Sequence, residues 1–486
     1  VRARQTLGVE LDLPALLQAA TPARLAARLL STPPSTSSES QMVRVSRDEW
    51  HPLMLSQPSL WNMCEQFHDR QLGNIHRAYR LQGRLDVGAL RDTLQALVDR
   101  HECWRTQFMR VDGHPAQRVV SGLRLEFPQT DLGGLPPDEA FREVCRRQWA
   151  DIQQAFDVAG GRMFRAELLR LGTDDHVLLL GVNHIVFDGW SFGILGRELG
   201  EAYGALSAGR EWRPAELPFQ PVDFASWEHR HLDAPRIRRQ IQYWRDHLAG
   251  NPPSAGFPYD GTGHRSGDFV GTRRSRSLPS DQVSVLRRIG RDQGCTLSMT
   301  LFAALNVAMF RISGIEDVVL GCPLAARHRP GSESVGGCFR QRAQLRTDLS
   351  GNPSFLEILH RVRLVFDGAL ANQDVSLEVV FPDRDVHHPR HWSEIPVDFN
   401  FREGLDGGPS FPGLTLTLID RPQWVLYPPM SVQALADGDQ LNLWVVARDS
   451  CYSVASIEKM LNLYLDTLTR IVGRPNLRLK DWGFSS

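Results

Sequence analysis

Asn183-His184-Ile185-Val186-Phe187-Asp188-Gly189-Trp190-Ser191 is the stretch that decides how this chain is read. The residues just before it, His176 to Val182, form an apolar run that reads as a buried strand. A helical pattern follows, from about Ser191 to Leu206. Functional loops concentrate at such strand ends. Gly189 leaves the backbone open to close approach, and N–H groups at the start of a helix can meet a developing negative charge. A His, an Asp and a Gly in this setting are a base, an orienting charge and an approachable backbone. Acyl transfer needs those three parts.

His184 has an ordinary pKa near the working pH, so it can take a proton from an amine nucleophile. It can equally hold that amine through a hydrogen bond, and the residues alone leave both roles open. Asp188 is the poorer base. A carboxylate in an apolar strand–helix junction costs several kcal/mol unless a cation pairs with it. It therefore reads as an anchor, paired with an Arg, for the loop that presents His184.

Farther out, the 486 residues exceed what one ordinary core organises, so two or more lobes are expected. A hydrophobic share of 42% and a charged share of 23% fit a globular protein. A net charge of −1 gives no sign of a nucleic-acid partner. The seven cysteines, Cys64, Cys103, Cys145, Cys295, Cys322, Cys338 and Cys451, form no CxxC pair and read as reduced thiols of a cytoplasmic protein. No apolar run reaches the roughly 18 residues of a membrane span. Val1-Arg2-Ala3-Arg4 has neither an initiator Met nor a signal-peptide profile and reads as the edge of a longer chain.

Helices are expected over Asp86–His101, Pro137–Phe156, Arg236–Leu248, Ser280–Gln293, Ser298–Ile312, Phe355–Asn372 and Val454–Val472. Strands are expected over His176–Val182, Ile315–Gly321, Trp392–Phe401 and Gln440–Ala447. The mixture predicts an α/β protein of two lobes of similar size, meeting near residue 220. Residues 31–42 are a Ser-, Thr- and Pro-rich linker unable to bury a core. Ahead of it, Leu11, Leu13, Leu16 and Leu17 mark a short apolar face, and Thr21-Pro22 opens a helix.

The opening stretch resembles the HHxxxDG signature of nonribosomal peptide synthetase condensation domains, with Asn183 in place of the first His. Other segments resemble that family in its order. Gln57, Leu60 and Trp61 match SxAQxRLW, with Ser59 in place of Arg. Arg100 to Phe108 matches RHExLRTxF, and Asp223 to Trp227 matches YxDYAxW. Tyr243-Trp244 with Leu248-Ala249-Gly250 is similar to the helix that follows. Gly321 to Arg327 is similar to GxPxAxR, and Gly337-Cys338-Phe339 matches GxF. Asn372 to Glu378 is a variant of HQDVPFE, and Phe399-Asn400 stands at the late FN strand. Leu7 to Leu29 resembles the second half of a peptidyl carrier protein, downstream of its modified Ser.

The resemblance implies a chloramphenicol acetyltransferase-like fold, two lobes in a V-shaped pseudo-dimer with the active-site tunnel between them. It divides the chain into a carrier remnant (1–30), a linker (31–44), an N-terminal lobe (45–220) and a C-terminal lobe (221–486). The implied activity is peptide-bond formation between two carrier-bound thioesters. His184 then stands nearest the chemistry, and Gly189 offers an N–H to the oxyanion. Asp188 pairs with Arg327, with Arg329 as competitor, and Asn183 supports. Trp190, Ser191, Arg340 and Arg342 are expected to line the tunnel, Arg340-Gln341-Arg342 replacing the family's VNT. His101 is expected in a structural role, and His387, His388 and His391 lack further metal ligands. No intrinsic cofactor or metal is implied. The 4'-phosphopantetheine arms belong to upstream and downstream carrier domains, with an adenylation domain adjacent. An ester-forming or cyclising acyltransferase and a non-catalytic recruitment domain fit the same resemblance.

Overall fold

The computed structural model describes residues 42–66, 72–250, 256–260, 269–382, 395–404, 408–421 and 423–483, with Ala23, Ala26 and Ala27 ahead of them. Apart from those three alanines the carrier remnant, and most of the linker, lie outside the described residues, as do His387, His388 and His391.

The strand Asp175–Asn183 is the centre of a five-stranded sheet in the order 415–419, 74–82, 175–183, 164–172, 129–131. Every residue of it after Asp175 is shielded, because both faces are covered. Its alternation splits it between two clusters. Val177 and Leu179 pack with Ala140 and Val144 of the helix Pro137–Gln153. Leu178, Leu180 and Val182 pack with Leu90, Leu94 and Leu97 of the helix Val87–Arg100, and with Leu195 and Leu199 of the helix Gly189–Leu206. Each such side chain removed from water contributes about 1.5–3 kcal/mol.

The C-terminal half forms a seven-stranded sheet in the order 341–348, 317–324, 397–403, 430–437, 440–448, 270–278, 424–425. Its central helix, Leu297–Ser313, is apolar on every side and buried throughout most of its length. Thr296 caps its start by accepting from Met299 N–H (3.2 Å), and Gly314 ends it in the left-handed region. A three-stranded sheet, 51–52, 114–119, 106–111, completes the fold. Among the described residues, no single helix is long and apolar enough to cross a membrane.

The expected helices lie within a few residues of the observed ones. Two strands move: Ile315–Gly321 becomes Asp317–Leu324, and Trp392–Phe401 becomes Val397–Glu403. Elements from beyond residue 220 also pack against the N-terminal half. Thr415–Ile419 crosses over to pair antiparallel with Ala78–Gln82, covering the edge of the N-terminal sheet. The helix Pro221–Arg230 packs on the N-terminal side, where Asp223 accepts from Val45 N–H (2.8 Å) and Arg47 (2.6 Å). An edge strand supplied from far along the chain leaves no local mark in the sequence.

Two buried histidine and carboxylate groups serve this frame. His101 is fully buried and bonds Glu198 at 2.7 Å, with Arg100 on the same carboxylate. Glu228 is buried with one oxygen accepting from Leu55 N–H (3.0 Å), and burial pushes its carboxyl up to about 8. Below its ordinary value near 4.5, the folded and unfolded chains both hold that proton. Between about 4.5 and 8 the unfolded chain has released it while the folded chain keeps it, so stability falls as pH rises through this window. Glu228→Gln mimics the protonated acid. It is expected to raise stability by on the order of 1–3 kcal/mol at pH 8 and to change little near pH 4.5. Melting temperatures of both proteins across that range are the check, and parallel curves would contradict it.

Candidate active site

Asn183 closes the central strand, and its Oδ1 accepts from Ile185 N–H (2.9 Å), capping the single 3-10 turn His184–Val186. Gln57 holds the same turn from outside, its Nε2 donating to the Ile185 carbonyl (2.8 Å). His184 Nδ1 lies 2.5 Å from the Phe187 carbonyl oxygen. A carbonyl only accepts, so Nδ1 carries the hydrogen and Nε2 carries the lone pair of the neutral ring. Burial, and then the charge of Arg340, lower the His184 pKa to about 4. The ring is neutral at pH 7.

Asp188 begins the next helix as its N-cap, accepting from Ser191 N–H (2.9 Å). Its carboxylate does not reach His184. It receives Arg327 Nη2 on both oxygens (2.9 Å each) and Arg327 Nε on Oδ2 (3.2 Å). Phe339 N–H completes Oδ2 at 3.1 Å. Arg327 also donates to the carbonyls of Ser332, Val335 and Gly337, and its guanidinium lies 4.3 Å from the Phe339 ring centre. Both partners are almost wholly shielded from solvent. Ala326, in the left-handed region at φ 48°, turns the chain just before Arg327. Arg329 goes elsewhere, to Asp374 at 3.3 Å, where His328 (2.8 Å) and Arg236 also converge. Burial opposes ionisation of Asp374, but the hydrogen bond from His328 and the charges of Arg329 and Arg236 hold its carboxyl well below the usual range.

Between the two halves lies a cavity of about 330 Å³. His184, Ser56, Ser59 and Gly73 line one side of it; Arg340, Arg342, Glu378, Asp398, Arg421 and Tyr427 line the other. Among the described residues His184 Nε2 makes no hydrogen bond, so the ring's free acceptor belongs to the wall of this cavity. Arg342 pairs with Asp398 at 3.2 Å. Gly321 is required here, because a Cβ would collide with Asp398 Oδ1. Cys338, whose Sγ is 3.9 Å from His184 Nδ1, is pushed up to about 12 by burial and is no nucleophile at neutral pH.

Two expected lining residues are placed differently. Ser191 is buried, its Oγ 2.9 Å from Asp188 Oδ1 and 3.0 Å from the Gly337 carbonyl, so it belongs to the Asp188–Arg327 network. Trp190 is exposed at the surface with Nε1 donating to the Glu333 carbonyl (3.1 Å). Helical geometry turns the two side chains away from the strand end that carries His184. Gly189 is exposed at the first turn of the helix; no protein atom lies within 4 Å of a Cβ placed there, so internal packing does not require glycine. Asn372 ends the helix Phe355–Ala371, and its carbonyl accepts from Trp244 Nε1 (2.7 Å). Arg421, Trp424 and Tyr427 are site residues that sequence reasoning passed over, since no motif marks them.

Residues 48–486 match the family model described as Condensation domain. Malpinin synthetase of Mortierella alpina is 34% identical over 395 residues, 79% of this chain and 5% of that protein. Phosphinothricin tripeptide synthetase PhsC of Streptomyces viridochromogenes is 34% identical over 356 residues, 73% of this chain and 33% of that protein. The chain thus spans a small part of the length of these relatives. The X-domain from teicoplanin biosynthesis superimposes with a TM-score of 0.80 at 25% identity, over 90% of this chain and 99% of that one. The first condensation domain of the calcium-dependent antibiotic synthetase, solved with a substrate analogue, gives 0.75 at 18% identity, over 90% of this chain and 100% of that one. The fold is chloramphenicol acetyltransferase-like, with mixed sheets in both halves and the cavity between them.

Proposed function

We propose that this chain, which belongs to the condensation domain family, catalyses peptide-bond formation in nonribosomal peptide synthesis. The amine of a downstream carrier-bound aminoacyl thioester attacks an upstream carrier-bound acyl or peptidyl thioester. One C–N bond forms and one C–S bond breaks, and the proton shed by nitrogen ends on the released thiolate. The observation that carries the reading is the neutral His184, its tautomer set by the Phe187 carbonyl, on the wall of a cavity lined from both halves.

A ring held near pKa 4 is a weak base, well below the range best suited to general-base work at pH 7. His184 therefore acts chiefly by accepting a hydrogen bond from the attacking amine through Nε2. Holding both acyl arms in one cavity supplies most of the acceleration, on the order of 7–11 kcal/mol for well-oriented partners. Asp188, Arg327 and Asn183 are positioning residues. The open space at Gly189 leaves room for its N–H to meet the oxyanion. The chain works without a resident cofactor, in the cytoplasm, between carrier domains that bring their own phosphopantetheine and beside an adenylation domain. Residues 1–30 are the end of such a carrier, 31–44 a linker, and 45–220 and 221–486 the two lobes.

The test is an assay with two loaded carriers, read by mass spectrometry of the acceptor carrier. A dipeptidyl or longer chain on that carrier is expected. An ester product with a hydroxyl acceptor, or a released cyclic product, would move the reading to an altered acyltransferase. The likeness to the teicoplanin X-domain, which is also solved in complex with OxyB, favours a second reading as a recruitment domain. Binding of a tailoring enzyme with no product on either carrier would establish that reading instead.

A further inference from the structure

The charges lining the cavity do not balance. Arg342 and Asp398 neutralise each other at 3.2 Å. Glu378 is hydrogen-bonded by Ser376 and Ser59 and, among the described residues, makes no ion pair with either of the other two arginines of the lining. Arg340 and Arg421 are left over. Among the described residues Arg340 has no hydrogen bond or ion pair, and its Nε is buried without a partner. Arg421 lies 4.1 Å over the Trp424 ring with no carboxylate in salt-bridge reach among the described residues, since the adjacent Asp420 pairs with Arg273. Burial, and then the neighbouring Arg77 and Arg402, lower Arg421 to about 9, which still leaves it charged at pH 7.

Two guanidinium groups in one cavity with no counter-charge among the described residues are costly unless something anionic enters. Guanidinium groups suit planar oxyanions, which they bind through paired N–H donors. Stacking on Trp424 leaves the N–H edges of Arg421 free for such a partner. The cavity has room for an amino-acid side chain beside His184.

We infer that the cavity beside His184 takes an acyl chain bearing a free carboxylate, held by Arg340 and Arg421. The inference rests on the acyl-transfer reading above and names the substrate class for that site. The phosphate of a carrier's phosphopantetheine arm shares the anionic chemistry, so the test must tell the two apart.

Glutamyl thioesters of N-acetylcysteamine, which carry no phosphate, are compared with their glutaminyl counterparts. Free-amine forms stand for the acceptor and N-acetylated forms for the donor. Calorimetric binding to the whole chain is expected to favour the carboxylate in at least one pair by about tenfold or more. Arg340→Gln and Arg421→Gln are each expected to shrink that preference, and Arg421→Lys to retain part of it. Equal affinities for glutamyl and glutaminyl thioesters in both pairs would overturn the inference, even if the variants failed to fold. Competition by free phosphopantetheine, lost in the same two variants, would overturn it in favour of the carrier arm. Condensation that proceeds with neutral substrates and shows no preference sinks this inference alone. A carboxylate preference without condensation on any carrier pair sinks only the peptide-bond reading.

Discussion

Asp188→Ala is expected to cost on the order of 3–5 kcal/mol of stability and most of the soluble protein, because it strands the buried Arg327 guanidinium. The carboxylate meets Arg327, Ser191 and the Phe339 amide at once. It caps one helix and ties the N-terminal half to the segment 327–339 of the C-terminal half. Removing it leaves carbonyls and a cation arranged around nothing. Melting temperature and soluble yield are the measurements. Asp188→Ala combined with Arg327→Met is expected to recover part of the loss, because no unpaired charge then remains. Asp188→Asn keeps the cap and should hold more of the fold. In the folded fraction its kcat should stay near wild type, since the carboxylate makes no bond to His184. A well-folded Asp188→Asn protein with turnover lowered a thousandfold would show that the charge takes part in the chemistry.

The other large effect is expected at His184. His184→Ala should lower turnover by about 10²–10³ while leaving the melting temperature within a few degrees, since the ring's short hydrogen bond is to its own turn. Residual condensation should persist, because the cavity still brings the two arms together. His184→Gln offers an acceptor oxygen without a titratable ring and should fall between Ala and wild type. Wild-type rates for Ala with two loaded carriers would remove His184 from the reaction. His184 itself is expected to add no inflection to the wild-type pH profile between pH 6 and 8, since a group near pKa 4 does not titrate there; any rise over that range should follow deprotonation of the acceptor amine, whose ordinary pKa is about 7.7–8.0.

The strand, turn and helix around His184 were legible because each carries its own local signal. An apolar run, a cap and a helical period agree over thirty residues. The need of Asp188 for a cation was legible too, from the cost of a buried carboxylate. That the cation is Arg327 came from the family pattern, and its geometry depends on a turn at Ala326 that no propensity announces. Trp190 and Ser191 were misplaced because adjacency in sequence to a site residue says little about direction once a helix begins. Ser191 turned inward to the ion pair and Trp190 outward to solvent. The crossing strand Thr415–Ile419 was not found, because its partner lies more than three hundred residues earlier.

By itself the sequence determined the α/β class, the order of most elements, the family and the strand end that carries His184, because those depend on short-range patterns and ordered motifs. Only the tertiary structure decided the protonation state of His184, the balance of charge around it and the membership of its cavity. Those properties come from burial and from cations such as Arg340 and Arg421, brought to the site from positions about 150 and 240 residues away. Electrostatic energy depends on distance in space and on access to water, and neither is written along a chain.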